Sequence, residues 1–195
     1  FPFLHADRIT TPTLFLCGEH FYIPSFHVPA LRDAVSAYHR AIAAHFREQP
    51  SLRPTILYYI TTWTPSFESE YPWVSYCDFS DAAHADYQQF LEQTYGRIET
   101  LNYIWGVERP YQTFTNVSIP PVDGSRGTPD LAPADQDWFA FRTASLGRWV
   151  RACRDGIKSG DPDAPYGIQL SVTAQEGAAG GCAKRGTYGF PSYAE

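Results

Sequence analysis

The run Thr55-Ile56-Leu57-Tyr58-Tyr59-Ile60, followed by Phe67-Glu68-Ser69-Glu70-Tyr71-Pro72-Trp73, decides how this chain is read. The first stretch is largely apolar, the pattern of a strand buried on both faces of a parallel sheet. The second sets two carboxylates among aromatic rings just after it. Two helical segments come next, Ser80 to Tyr95 and Ile98 to Trp105, punctuated by Gly96 and Gly106. Glycine there suits the left-handed residue that ends a helix. Either Ser80 or Asp78 can cap the first helix, whose inward face is Tyr87, Phe90, Leu91 and Tyr95.

Upstream, Leu31, Val35, Tyr38, Ile42 and Phe46 recur at helical spacing from Pro29 to Phe46. Pro29 fits a first helical turn, and Arg47 complements the dipole at the far end. Before it, Thr13-Leu14-Phe15-Leu16 reads as a second buried strand, and Glu19-His20-Phe21-Tyr22-Ile23-Pro24 as the loop that leaves it. Strand, helix, strand in this order is a βαβ unit.

Downstream, residues 107–134 are rich in Pro, Gly, Asp and Thr and read as a long rim loop, with Tyr111 to Phe114 briefly extended. Asp135 to Ile157 is the longest helix, with Trp138, Phe141, Leu146, Trp149, Val150, Cys153 and Ile157 on one face. Tyr166 to Val172 is a third strand. Strands alternating with helices give the α/β class. A complete eightfold barrel takes about 250 residues, so 195 residues supply part of one.

Composition narrows the partners. The net charge is −6 with no Lys/Arg cluster, which argues against nucleic acid and anionic membranes. No apolar run approaches a membrane span. Thirteen Tyr, thirteen Phe and five Trp fit a large aromatic core, with some rings left to stack on sugars. Methionine is absent, position 1 included, and the chain reads as an internal fragment. Cys17, Cys77, Cys153 and Cys182 have no CxxC spacing and read as isolated reduced thiols.

A carboxylate just past the carboxyl end of a buried strand, ringed by flat apolar side chains, is how enzymes that cut glycosidic bonds hold a proton donor. Glu68 and Glu70 point the same way on an extended chain and lie about 6.5–7 Å apart. Catalytic pairs normally come from different strands, so one is the acid and the other its support or rim. The acid must stay protonated near neutral pH; Phe67, Tyr71, Trp73 and Tyr76 supply burial, and each glutamate raises the other. The competing reading is two solvated glutamates on a polar loop.

The segment Glu70-Tyr71, then Cys77-Asp78, Phe90-Leu91, Tyr95-Gly96, Ile98-Glu99, Leu101-Asn102 and Trp105-Gly106, resembles the β-galactosidases of glycoside hydrolase family 42. Ile119-Pro120-Pro121 and Asp137-Trp138-Phe139-x-Phe141 fit the same pattern, and the resemblance covers roughly residues 25–172. It implies a partial (β/α)8 TIM barrel, about strands 3 to 5 with their helices, within one segment, 1–195. It implies Glu70 as general acid/base at the end of the fourth strand, with the nucleophile on a seventh strand outside this chain. Glu68, Ser69, Tyr71, Trp73 and Glu19 are the candidate substrate contacts. The family has Asn where this chain has Ser69 and Gly where it has Pro72. Its zinc-binding cysteine cluster is not matched, so no structural zinc and no cofactor is expected. The partners implied are a carbohydrate substrate and the remainder of the barrel; a homo-oligomer is left open.

Two other readings compete. One is a non-catalytic carbohydrate-binding relative, with Ser69 and Pro72 marking lost chemistry. The other arises because Ala6 to Glu19 resembles the strand that leads to the catalytic Asp of α/β-hydrolase peptidases. No Gly-x-Ser-x-Gly elbow occurs to supply that family's nucleophile.

Overall fold

The computed structural model describes residues 13–16, 19–22, 25, 27–61, 78–120 and 132–168. In chain order the elements are β1 (Thr13–Leu16), β2 (Glu19–Tyr22), α1 (Pro29–Arg47), β3 (Tyr59–Thr61), α2 (Asp81–Tyr95), α3 (Ile98–Trp105), α4 (Pro133–Gly160) and β4 (Tyr166–Ile168). β1 and β2 form an antiparallel hairpin, Thr13 opposite Tyr22 and Leu16 opposite Glu19. β3 and β4 are parallel, Tyr59 opposite Tyr166 and Thr61 opposite Ile168.

Three expectations change. Glu19 to Tyr22 is a strand, not the loop after one, because it pairs antiparallel with Thr13–Leu16. Among the described residues the parallel pairing joins β3 to β4, not Thr13–Leu16 to the strand after α1. That later strand is also shorter than its apolar run. Arg53–Thr55 is a 3-10 turn, and pairing starts only where Tyr59 N–H donates to Pro165 O at 2.8 Å. Nor is it buried on both faces: Leu57 is 78% exposed, Tyr58 56% and Ile60 42%. Tyr59 and Thr61 face the helices, while Tyr58 and Ile60, on the opposite side of the pleat, have no covering layer.

The helices follow their sequence signals closely. Ser80 is the N-cap of α2, its Oγ accepting from Ala83 N–H at 3.2 Å. Gly96 and Gly106 end α2 and α3 with φ of +68° and +62°, which glycine adopts without strain. Tyr38 departs from the expected face of α1 and is 62% exposed. Two glycines of α4 lie close against the backbone of that helix. A Cβ on Gly156 would land on the carbonyl of Ser36, and one on Gly160 on the carbonyl of Arg40.

That pairing makes α1 and α4 parallel. It also sets the first turn of α1 beside Arg148, so residues 133–147 of α4 run on past α1 by about 22 Å. The lower half of α4 joins Ala43, Ile157 and Ala164 in a core capped by Tyr59 and Tyr166. The upper half lies in a larger aromatic core with Phe79, Ala83, Tyr87, Leu91, Leu101, Val117, Ile119, Trp138 and Phe141.

Residues 107–120 belong to that upper core. Val117 and Ile119 are buried, Tyr111 to Phe114, expected to be extended, form no strand and lead into a 3-10 turn at Phe114–Asn116, and Gln88 Nε2 donates to Thr115 O and Val117 O, both at 3.0 Å. Residues 121–131 lie outside the described residues.

Candidate active site

Because α4 leads down into β4 and α1 runs parallel to it, the starts of α1, α2 and α4 lie toward the carboxyl end of the sheet. Loops at that end carry the chemistry in barrel folds. The opposite end is tied by an ion pair, Arg53 Nε to Asp161 Oδ2 at 2.7 Å.

Two polar clusters organise the carboxyl end. Asp78 is fully buried. Its Oδ2 accepts from Ser25 Oγ at 2.6 Å and Ser80 Oγ at 2.8 Å, and its Oδ1 accepts from Ser80 N–H at 2.9 Å. The cap of α2 thus receives its own support from Asp78, and both residues suggested as the cap take part. Asp86, one turn into α2, accepts on Oδ2 from His27 Nδ1 at 2.8 Å and from Arg148 Nη2 at 2.6 Å. Burial pushes the Asp86 carboxyl up, but the hydrogen bond and charge of His27, joined by Arg148, bring it below the ordinary aspartate value. The His27 ring stacks on Phe141, centroids 5.2 Å apart at 18°, and Phe141 in turn meets Tyr87 at 5.1 Å and Trp138 at 5.4 Å.

A third cluster joins α2, α3 and α4. Tyr95 Oη and Trp105 Nε1 both donate to Asp137 Oδ2, at 2.5 and 2.7 Å. Asn102 exchanges two 2.9 Å bonds with the backbone of Tyr111. The Tyr-Gly, Leu-Asn, Trp-Gly and Asp-Trp pattern of the sequence therefore supplies side chains that tie α2, α3 and α4 together.

Of the sequence-predicted site residues, Glu19 lies in β2 opposite Leu16. Glu68, Ser69, Glu70, Tyr71 and Trp73 fall in residues 62–77, outside the described residues. Both ends of that segment are described. Thr61, 3% exposed, meets the Tyr166 hydroxyl at 2.6 Å, and Tyr166 Oη donates to Val150 O at 3.3 Å. Asp78 is bolted to Ser25. Sequence reasoning missed Ser25, His27, Asp86 and Arg148. The available signal was Asp86 itself, a carboxylate on the face of α2 that carries Ala83, Tyr87 and Phe90.

Among the described residues no group of three or more His, Cys, Asp or Glu could hold a metal ion. Cys153 is buried in α4, where burial pushes its thiol up to about 12, unsuited to ligation. Cys17, Cys77 and Cys182 lie outside the described residues. No helix among the described residues is long and apolar enough to cross a membrane.

The course of the backbone is similar to that of several solved structures. The catalytic domain of a β-amylase from Paenibacillus polymyxa matches 85% of this chain with a TM-score of 0.64 at 15% identity; the match covers 43% of that domain. A β-galactosidase from Bacillus circulans sp. alkalophilus matches 78% of this chain with a TM-score of 0.58 at 19% identity. An exo-carrageenase of glycoside hydrolase family 42 from Bacteroides ovatus matches 75% with a TM-score of 0.57 at 22% identity. The chain spans 22% of the length of the β-galactosidase and 19% of that of the carrageenase. At these identities the likeness establishes the fold, part of a glycoside-hydrolase TIM barrel. The β-galactosidase model of glycoside hydrolase family 42 matches residues 17–177, most of the 195, and the chain belongs to that family.

Proposed function

We propose that this chain is the part of a retaining, β-galactosidase-like glycoside hydrolase that carries the general acid/base, Glu70. In this reading the strands present are about the third to the fifth of the barrel. The nucleophile lies outside the chain, and the remainder of the barrel completes the site. Residues 107–134 form a rim loop over it.

The reading is carried by the family match over residues 17–177, a range that includes Glu70. Glu70 follows β3, the strand whose carboxyl end faces the same way as that of β4. As acid, its carboxyl protonates the leaving glycosidic oxygen; as base, it takes a proton from the water that releases the sugar. Glu68 beside it raises its proton affinity, and Tyr71 and Trp73 offer flat faces to the pyranose, with Ser69 and Glu19 as polar contacts.

The test is Glu70→Gln in the complete protein, assayed with an aryl β-galactoside. Losing a general acid/base costs about 10²–10⁴-fold, so turnover should fall at least a hundredfold. Turnover within threefold of the parent would remove Glu70 from the mechanism.

A further inference from the structure

We propose that the first two turns of α1, Pro29 to Val35, open and close as a local unit, and that the His27–Asp86 contact is the latch that keeps them closed. Neither Glu70 nor the reaction has a part in this device.

The helix is unevenly held along its length. Ala43 is the one fully buried residue of α1. The tight approach of α4 begins at Ser36, whose carbonyl faces Gly156, and continues at Arg40, opposite Gly160. Before Ser36 only Leu31, Arg32 and Val35 are half-buried, while Pro29, Ala30, Asp33 and Ala34 are exposed. The N-cap is Val28, with no side-chain hydrogen bond to the first turn, so α1 lacks the help that Ser80 gives α2. Few buried contacts and an uncapped end are the marks of a segment that opens at low free energy.

Its closure depends on the residues that lead into it. The His27 side chain is fully buried, with Nδ1 2.8 Å from Asp86 Oδ2, and its ring stacks on Phe141 of α4. On the helix side Arg32 Nη1 donates to the His27 carbonyl at 3.2 Å. Leu31 N–H and Arg32 N–H donate to Val28 O at 3.1 and 3.3 Å. A movement of His27 is therefore a movement of the first turn. Arg148 Nη2 donates to the same Asp86 oxygen at 2.6 Å, which keeps the carboxylate in place to receive the imidazole again. Ser25, hydrogen-bonded to Asp78, marks the other limit of the moving piece.

The experiment is native-state hydrogen exchange of the complete protein in sub-denaturing urea, read by mass spectrometry on short peptides. In the parent, Leu31 to Val35 should exchange faster than residues 151–157 of α4 and with almost no dependence on urea, the sign of local opening. Asp86→Asn keeps the shape of the side chain and removes its charge; it should speed exchange at Leu31 to Val35 about tenfold or more. His27→Phe, which keeps a ring over Phe141 and deletes the donor, gives a second reading where Asp86→Asn does not fold. Ile157→Val loosens the lower core alone. It should speed exchange at residues 151–157 and leave Leu31 to Val35 within about twofold of the parent. Equal urea dependence in the two segments, or equal acceleration of both by Ile157→Val, would make α1 part of one cooperative unit and overturn the proposal. Unchanged exchange at Leu31 to Val35 in Asp86→Asn or His27→Phe would remove His27 as the latch.

Discussion

Asp86 and His27 lie 59 positions apart, yet Nδ1 of the imidazole sits 2.8 Å from a carboxylate oxygen that also accepts from Arg148. Three elements meet at that one oxygen: the lead-in to α1, the first half of α2 and the middle of α4. The His27 side chain is fully buried and that of Asp86 is 15% exposed, so water offers little replacement for either contact.

The pH dependence of stability follows from this node. The folded-state pKa of Asp86 is depressed, so its contribution is present above the unfolded aspartate value, about 3.9. That contribution is lost as the pH falls through the folded value. Asp86→Asn should cost about 2 kcal/mol at pH 7 and less at acid pH, where the parent has already lost the same interaction. Urea midpoints followed from pH 7 down to pH 2 measure it; a cost that does not shrink over that range would contradict the assignment.

At the alkaline end the sign reverses. Burial, then the hydrogen bond and charge of Asp137, push Tyr95 up to about 12; burial first of all does the same for Tyr166. Raised folded values give stability that is complete below the unfolded value of about 10 and lost as the pH rises toward 12. Guanidinium midpoints should hold steady to about pH 9 and then fall. Tyr95→Phe should fall less steeply above pH 10, and an unaltered slope would show that Tyr95 does not contribute.

Gly156 and Gly160 set the distance between α1 and α4. Alanine at either position must push on backbone carbonyls, not on the flexible end of a side chain. Each substitution should destabilise by about 1–3 kcal/mol, although alanine is the better helix former. Gly147→Ala serves as the control, since its neighbour is the movable Arg151 guanidinium. Thermal melts of the three variants decide it, and a stabilised Gly160→Ala would mean the helices stand further apart.

The helices were legible in the sequence because their signals are local. Ser80, Gly96 and Gly106 fix ends within a residue of the structure, and the period of Tyr87, Phe90 and Leu91 gives the buried face of α2. The strands were less legible. Leu57 and Tyr58 have strong β character, but a strand needs a partner, and pairing begins only at Tyr59. The two residues between β1 and β2, Cys17-Gly18, lack the Asn-Gly or Asp-Gly chemistry that announces a tight hairpin. The carboxyl-end clusters join residues more than fifty positions apart, and no short-range pattern reports such pairs. Glu70 was read from its aromatic surroundings and the family pattern, and it lies outside the described residues.

The unbroken course of α4 ties the two cores in phase. One residue inserted between Gly147 and Gly156 would rotate the upper half by about 100°. Trp138 and Phe141 would then turn away from α2 while the glycine contacts below stayed in place. Length changes in this rod are tolerable only in steps of three or four residues that restore the angle. Elsewhere in the upper core Val117 and Ile119 come from non-helical chain, so their burial sets no such angular requirement.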